Sequence, residues 1–222
     1  MNPTPETVRE LLESEDFGQR LSAINLIRQF DSAIGYELIQ PALDDPNARV
    51  RYAAISQLST LGQHDPSTAY RILRDRLLKD PEPDVQAAAA DSIGALKLKE
   101  ALPDLELVYH QTDQWLVQFS IIATLGELGD PRSLELLKTA LTSDNDLIKT
   151  AAIGSLGELG DVAAVPLLIP FAGDADWQVR YRVVQALGRF DLPAAREAIA
   201  PLVNDPMKPV AEEAHNQLSA NA

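Results

Sequence analysis

An all-α solenoid of paired helices is the fold class that this sequence of 222 residues predicts. A short phrase recurs along it: Val50-Arg51-Tyr52-Ala53-Ala54-Ile55, Val117-Gln118-Phe119-Ser120-Ile121-Ile122, Ile148-Lys149-Thr150-Ala151-Ala152-Ile153 and Val179-Arg180-Tyr181-Arg182-Val183-Val184. The anchors Val117, Ile148, Val179 and Val210 stand 31 residues apart, and the earlier anchors Gln19, Val50 and Val85 are spaced less evenly. Behind the anchors, apolar or small residues return four positions on (Ala54, Ala89, Ile121, Ala152, Val183, Ala214) and eight positions on (Leu58, Ile93, Leu125, Leu156, Leu187, Leu218). That is helical periodicity. A unit of this length buries its apolar face only by stacking on its neighbours, so residues 1–222 are expected to form one continuous domain with a long ridged surface. Function is then to be sought first in partner recognition.

Taken in order, the first helices of the pairs are expected at 4–13, 34–43, 66–78, 101–109, 132–141, 162–171 and 193–203, each followed by a second helix that carries an anchor. About seven pairs result. In the first of these second helices Ala23, Ile27 and Phe30 fit the frame if Gln19 takes the anchor place, and a polar anchor suits a terminal repeat with one face in water. The junctions Asp45-Pro46-Asn47, Asp80-Pro81-Glu82-Pro83, Asp144-Asn145-Asp146, Asp174-Ala175-Asp176 and Asp205-Pro206 combine capping carboxylates and amides with a residue that resists helix interiors. Leu61-Gly62, Leu128-Gly129-Asp130 and Leu159-Gly160-Asp161 read as helix ends closed by glycine. The linkers are too short to separate domains.

Composition narrows the function. The formal charge is −14, from 33 acidic residues against 19 Lys and Arg, which opposes unspecific attraction to phosphate backbones and argues against nucleic acid as the partner. There is no cysteine, which removes disulfides, thiolate metal sites and a thiol nucleophile together. His64, His110 and His215 stand alone in different repeats, so no metal site and no catalytic set is assigned. No apolar window is long enough for a membrane span, and the amino-terminal residues lack the pattern of a secretory signal. A cytoplasmic protein is expected. Gly126-Glu127-Leu128-Gly129 and Gly157-Glu158-Leu159-Gly160 are repeat endings, and no nucleotide loop or metalloprotease helix is present.

The recurring anchor followed by Arg, alanines and Leu-Gly resembles the HEAT repeat class, which implies a superhelical solenoid. More narrowly, Arg49-Val50-Arg51-Tyr52-Ala53-Ala54, Ala87-Ala88-Ala89-Ala90-Asp91, Trp115-Leu116-Val117-Gln118-Phe119-Ser120-Ile121-Ile122 and Asp176-Trp177-Gln178-Val179-Arg180-Tyr181-Arg182-Val183-Val184 resemble cyanobacterial proteins related to the phycocyanobilin lyases. This resemblance covers nearly the whole chain. It implies phycobiliproteins as partners, degradation-machinery proteins as further ones, and no tightly bound cofactor, with phycocyanobilin met only as a group carried by a partner. Within the family some chains attach or remove bilins on phycobiliprotein cysteines and others take part in dismantling phycobilisomes. The second behaviour, a recognition factor without catalysis, is the reading preferred from sequence; a bilin lyase or detaching enzyme and a general assembly adaptor are the alternatives.

The candidate binding residues follow from position. Tyr52, Phe119 and Tyr181 lie two residues after their anchors, and Asp91 and Gln185 lie six after theirs, which places both registers on one helical side. That side is expected to face the concave surface, with Ala123 and Gly154 leaving room. The aromatics either contact a bilin or phycobiliprotein, or pack between repeats. Trp115 and Trp177, each two residues before an anchor, are rim contacts or caps of the core. Arg51, Arg180 and Arg182 can pair with bilin propionates or partner carboxylates. For Arg51 and Arg180 the competing reading is an internal ion pair with a neighbouring repeat's aspartate. Asp91, alone at the end of an alanine run, is a contact for a pyrrole nitrogen, a group that assists proton transfer, a solvated side chain, or a partner for Arg51.

Overall fold

The structure, a computed structural model, describes residues 3–220. Met1 and Asn2, which begin the stretch read for a signal sequence, lie outside them, as do Asn221 and Ala222. Fourteen α-helices and no strand are found among the described residues: α1 Pro5–Leu12, α2 Phe17–Ile27, α3 Ser32–Ile39, α4 Ala48–Leu61, α5 Pro66–Lys79, α6 Pro83–Ala95, α7 Leu102–Gln111, α8 Trp115–Leu128, α9 Leu134–Ala140, α10 Asp146–Leu159, α11 Val165–Leu168, α12 Trp177–Leu187, α13 Pro193–Ile199 and α14 Lys208–Ala220. Packing divides them into two units, Met1–Ile121 and Ile122–Ala222, and the division falls inside α8. In the first unit α2, α4 and α6 pack in succession; in the second α10, α12 and α14 do the same.

The even-numbered helices form because their apolar residues fall on two adjacent buried stripes. Val50, Ala54 and Leu58 are fully buried, as are Val85, Ala89 and Ile93, and in the second unit Ile148, Ala152 and Leu156 are at most 2% exposed. Five positions after the anchor stand Ile55, Ala90, Ile122, Ile153 and Val184, all fully buried as well. Each such Val, Leu or Ile side chain removed from water contributes on the order of 1.5–3 kcal/mol, and each alanine about 0.8 kcal/mol, before the entropy of ordering is deducted. Seven positions after the anchor comes a small or polar buried residue that reaches the previous second helix: Gln57 donates to the Ile24 carbonyl at 2.7 Å and Ser92 to the Ile55 carbonyl at 3.0 Å.

Two features differ from the sequence expectation. The first helices are shorter, because α3, α11 and α13 give way to 3₁₀ turns at Gln40–Asp44, Ile169–Gly173 and Ala200–Asn204. Each turn has proline as its second residue, Pro41, Pro170 and Pro201, and a residue without an N–H interrupts the i→i−4 ladder of the α-helix. Glycine also plays two different parts at the helix ends. Gly129 and Gly160 are left-handed, with φ of 58° and 69°, as a glycine cap requires. Gly62 has an ordinary φ of −63° and is needed for space, since a Cβ there would lie 2.7 Å from Leu96 Cδ1 and 2.9 Å from Ala69 Cβ.

A guanidinium–carboxylate pair recurs at the junctions. Arg20 holds Asp45 at 2.6 and 3.0 Å, Arg51 holds Asp80 at 2.8 Å through both contacts, and Arg180 holds Asp205 at 2.7 and 2.8 Å. In all three the remaining guanidinium nitrogen donates to the carbonyls six and five residues earlier: Ser14 and Glu15, Asp45 and Pro46, Asp174 and Ala175. Each aspartate also accepts the N–H two residues on, from Asn47, Glu82 and Met207. The pair therefore saturates the junction's exposed backbone as well as its own charges. Asn47, Asn145 and Asp176 then cap α4, α10 and α12.

These contacts set the acid response. The Arg180 hydrogen bonds hold the Asp205 carboxyl below its ordinary value; burial pushes Asp80 up, but the hydrogen bonds from Arg51 and the Glu82 N–H outweigh it and leave that carboxyl low too. A depressed carboxyl contributes stability that is fully present above the unfolded value of about 4 and is lost as pH falls through the folded value. Denaturant titrations from pH 7 to pH 2.5 should show stability falling below about pH 4, with a shallower acid limb for Asp205→Asn. Arg180→Ala leaves a buried carboxylate without its cation and should cost about 3 kcal/mol at pH 7; an unchanged midpoint would remove the pair from the account of stability. A second expectation concerns spacing: a Cβ on Gly157 would lie 2.8 Å from Ala186 Cα and 2.9 Å from its Cβ, so Gly157→Ala should lower the melting midpoint by the equivalent of about 1–3 kcal/mol despite its better helix propensity.

Candidate functional site

The side of the second helices left free by this packing is a stripe one position before, two and three after, and six after each anchor. The spacing i, i+3, i+4, i+7 is one helical face. In the first unit it opens into a hollow of about 350 Å³ lined by Ala48, Arg49, Tyr52, Glu82, Asp84, Ala87, Ala88, Asp91, Leu116 and Ser120. Space exists there because α6 carries Ala87 where α4 carries Tyr52. The floor of Ala87, Ala88 and Ser120 is buried, while Tyr52 is 48% exposed and three carboxylates stand with a single guanidinium at the rim. The Ser56 hydroxyl donates to the Tyr52 carbonyl, so the helix backbone beneath the ring is intact.

In the second unit the same stripe opens into a groove of about 570 Å³, lined by Asp146, Leu147, Thr150, Asp176, Trp177, Gln178, Tyr181, Arg182, Gln185 and Pro209. Trp177 and Tyr181, one turn apart on α12, form an aromatic wall. Leu147, 53% exposed, stands on α10. The Tyr181 hydroxyl accepts from Gln185 Nε2 at 3.2 Å, which fixes the ring's outer edge. Asp176 accepts the Gln178 N–H as the cap of α12, and Asp146 pairs with Lys149 at 3.0 Å. Arg182 is exposed and makes no ion pair among the described residues.

The candidate residues thus fall into separate groups. Tyr52 and Asp91 share the hollow of the first unit; Trp177, Tyr181 and Arg182 share the groove of the second. Phe119 is half-buried and Trp115 is 49% exposed at the start of α8, and neither lines these two sites. Arg51 and Arg180 take the internal-pair alternative: their guanidinium groups are committed to Asp80 and Asp205 and to junction carbonyls, so they do not face the grooves. Residues not singled out from sequence also line the sites, above all those one before the anchor: Asp84 and Leu116 in one unit, Leu147, Gln178 and Pro209 in the other. The signal for them was present, since that position lies three residues ahead of the aromatic register. What the linings offer is recognition chemistry, with aromatic faces, carboxylates and two guanidinium groups, Arg49 and Arg182, that make no ion pair among the described residues. Among the described residues no group of three or more His, Cys, Asp or Glu can hold a metal ion, and no helix is long and apolar enough to cross a membrane.

Comparison with known proteins places the architecture. Residues 70–156 and 140–219 match the family described as HEAT repeats, and residues 36–65 match the single HEAT repeat. The chain belongs to the HEAT-repeat family. Its fold class is accordingly an all-α HEAT-repeat solenoid, with about seven helix pairs among the described residues. No curated protein matches the sequence of this HEAT-repeat chain. Among solved structures, the complex of CpcE and CpcF of phycocyanin lyase from Nostoc sp. PCC7120 is similar over 100% of this chain and 96% of that one, with a TM-score of 0.65 and 23% identity. The YIBA protein of E. coli matches over 98% and 93% with a TM-score of 0.64 and 15% identity. Kap95p, solved with RanGDP, matches over 99% of this chain and 36% of its own, with a TM-score of 0.62 and 16% identity. At these identities the likeness is one of fold.

Because Tyr52 is half exposed at the rim of the hollow and Arg182 is exposed without an ion pair among the described residues, Tyr52→Ala should shift stability by no more than about 1 kcal/mol and Arg182→Ala by no more than about 0.5 kcal/mol. Chemical denaturation checks this, and a loss above about 2 kcal/mol for either would show that the groove stripe belongs to the core.

Proposed function

We propose that this HEAT-repeat chain binds phycobiliproteins and acts on the side of bilin attachment or assembly, as an adaptor or lyase-type component. The observation that carries the reading is the free stripe of the second helices, which exposes Tyr52 with Asp91 in one unit and Trp177, Tyr181 and Arg182 in the other, on residues that also carry the resemblance to the phycocyanobilin lyase relatives. The whole-chain likeness to the CpcE and CpcF structure supports attachment over the dismantling role preferred from sequence. The 222 residues contain no cysteine, so a bilin in transit is held here without a thioether bond and the covalent step belongs to the thiol of the phycobiliprotein. Exposed aromatics provide large contact area at little rotamer cost, and a guanidinium matches the planar carboxylate of a propionate or a partner's acidic side chain. Dismantling needs the same first contact and differs only in the later steps.

Titration of the purified chain against phycocyanin subunits with and without their bilin, with absorption monitored throughout, tests the reading. Binding is expected, and the triple variant Tyr52→Ala, Tyr181→Ala, Arg182→Ala should weaken it at least tenfold, about 1.4 kcal/mol, while circular dichroism stays helical. Faster attachment of free phycocyanobilin to a bilin-free subunit places the chain on the attachment side, whereas release of bilin or loss of subunit assembly places it with dismantling. Absence of binding to every form by a folded chain overturns the proposal.

A further inference from the structure

The groove of the second unit differs in kind from the hollow of the first. It is larger, its walls are aromatic and aliphatic, and its charges are met differently: Asp146 pairs with Lys149, Asp176 caps α12 through the Gln178 N–H, and Arg182 is the one cation of the lining, with no ion pair among the described residues. It is also elongated in register. Leu147, Gln178 and Pro209 occupy the same position on α10, α12 and α14, so the groove crosses three successive helices. With neighbouring axes 8–10 Å apart, that crossing is about 20 Å long, which an extended chain of about six residues spans.

From this we infer that the groove receives an extended segment of a partner polypeptide, presenting a large apolar side chain to Leu147, Trp177 and Tyr181 and a carboxylate to Arg182. Side-chain amides supply the complement for the segment's backbone: Gln178 is exposed, and Gln185, held through its Nε2 by Tyr181, keeps its Oε1 as an acceptor. Compact ligands are commonly enclosed on most of their surface, whereas a trough crossing three helices with amides on its walls suits a chain whose own N–H and C=O groups need partners. Asp146 already has Lys149 and Asp176 already holds the Gln178 N–H, so among the described residues Arg182 is the lining charge that lacks a partner for a carboxylate to supply. The inference deepens the phycobiliprotein reading by naming how such a partner is grasped, and it rests on that reading only for the identity of the partner.

The test is selection from a displayed library of random dodecapeptides on the full chain carrying Trp115→Phe, which leaves Trp177 as its single indole. Enriched peptides are expected to place an aromatic or large aliphatic residue near Asp or Glu, to change Trp177 fluorescence on binding, and to lose at least tenfold in affinity with Arg182→Glu, an exposed position whose substitution leaves the fold intact. Tyr181→Ala should weaken the same peptides while a Tyr52→Ala control does not. No enrichment, enrichment of basic peptides, or binding indifferent to Arg182→Glu would overturn the inference. So would quenching of Trp177 by biliverdin, a linear tetrapyrrole dicarboxylate, in the absence of any peptide ligand. Peptide binding without affinity for any phycobiliprotein would keep this site and remove the proposed function; phycobiliprotein binding without peptide binding would do the reverse.

Discussion

The second helices cannot bury their apolar residues alone, and this constraint governs the rest of the molecule. Val50, Ala54 and Leu58 with Ile55 and Gln57 commit two sides of α4 to its neighbours, and the same register repeats through α14 with Val210 and Ala214. What packing leaves over is one stripe per helix. Tyr52, Asp91, Leu147, Tyr181 and Arg182 are accessible because they fall on that stripe, whatever their chemistry. Recognition surface and core are therefore two readings of one helical period, and the composition of the free stripe can vary without disturbing the buried ones.

Much of this was legible in the order of residues. Anchors and their returns at four and eight predicted the helices and their pairing, and the register two and six after the anchor pointed to the side that carries Tyr52, Asp91, Tyr181 and Gln185. Other features depended on distances that order does not express. For Arg51 and Arg180 sequence favoured an internal ion pair without naming the aspartate; what supplies it is that Asp80 and Asp205, 29 and 25 residues away, arrive within 2.8 Å of them. Gly62 read as the glycine that closes its helix, which it is, but contact with Leu96 and Ala69 rather than backbone conformation is what excludes a larger residue there. Pro41, Pro170 and Pro201 were visible throughout, yet a continuous helical pattern of apolar residues outweighed the missing N–H in the expected boundaries.

The guanidinium ladder is uneven along the chain. Its pairs occur at Arg20, Arg51 and Arg180, while the sequence equivalents Gln86, Gln118 and Lys149 cannot make a bidentate charged contact. Gln118 donates instead to the Tyr109 and Thr112 carbonyls, and Lys149 turns to Asp146. These residues saturate backbone groups or local charge without tying two junction segments together through a carboxylate. Rigidity from this source is concentrated toward the ends of the sequence.

The glycine contacts have a consequence for how such a chain lengthens. Gly126 meets Ser155 on the following second helix, and Gly157 meets Ala186 in the same way, 31 residues later. One surface of each block is thus the mate of the opposite surface of a block like itself. A tandem copy of 31 residues, produced by slippage in the coding DNA, would arrive with both of its seats already shaped, one for the block before it and one for the block after. Growth of the array needs no invention of a new interface, and divergence afterwards can fall on the stripe that lines the grooves.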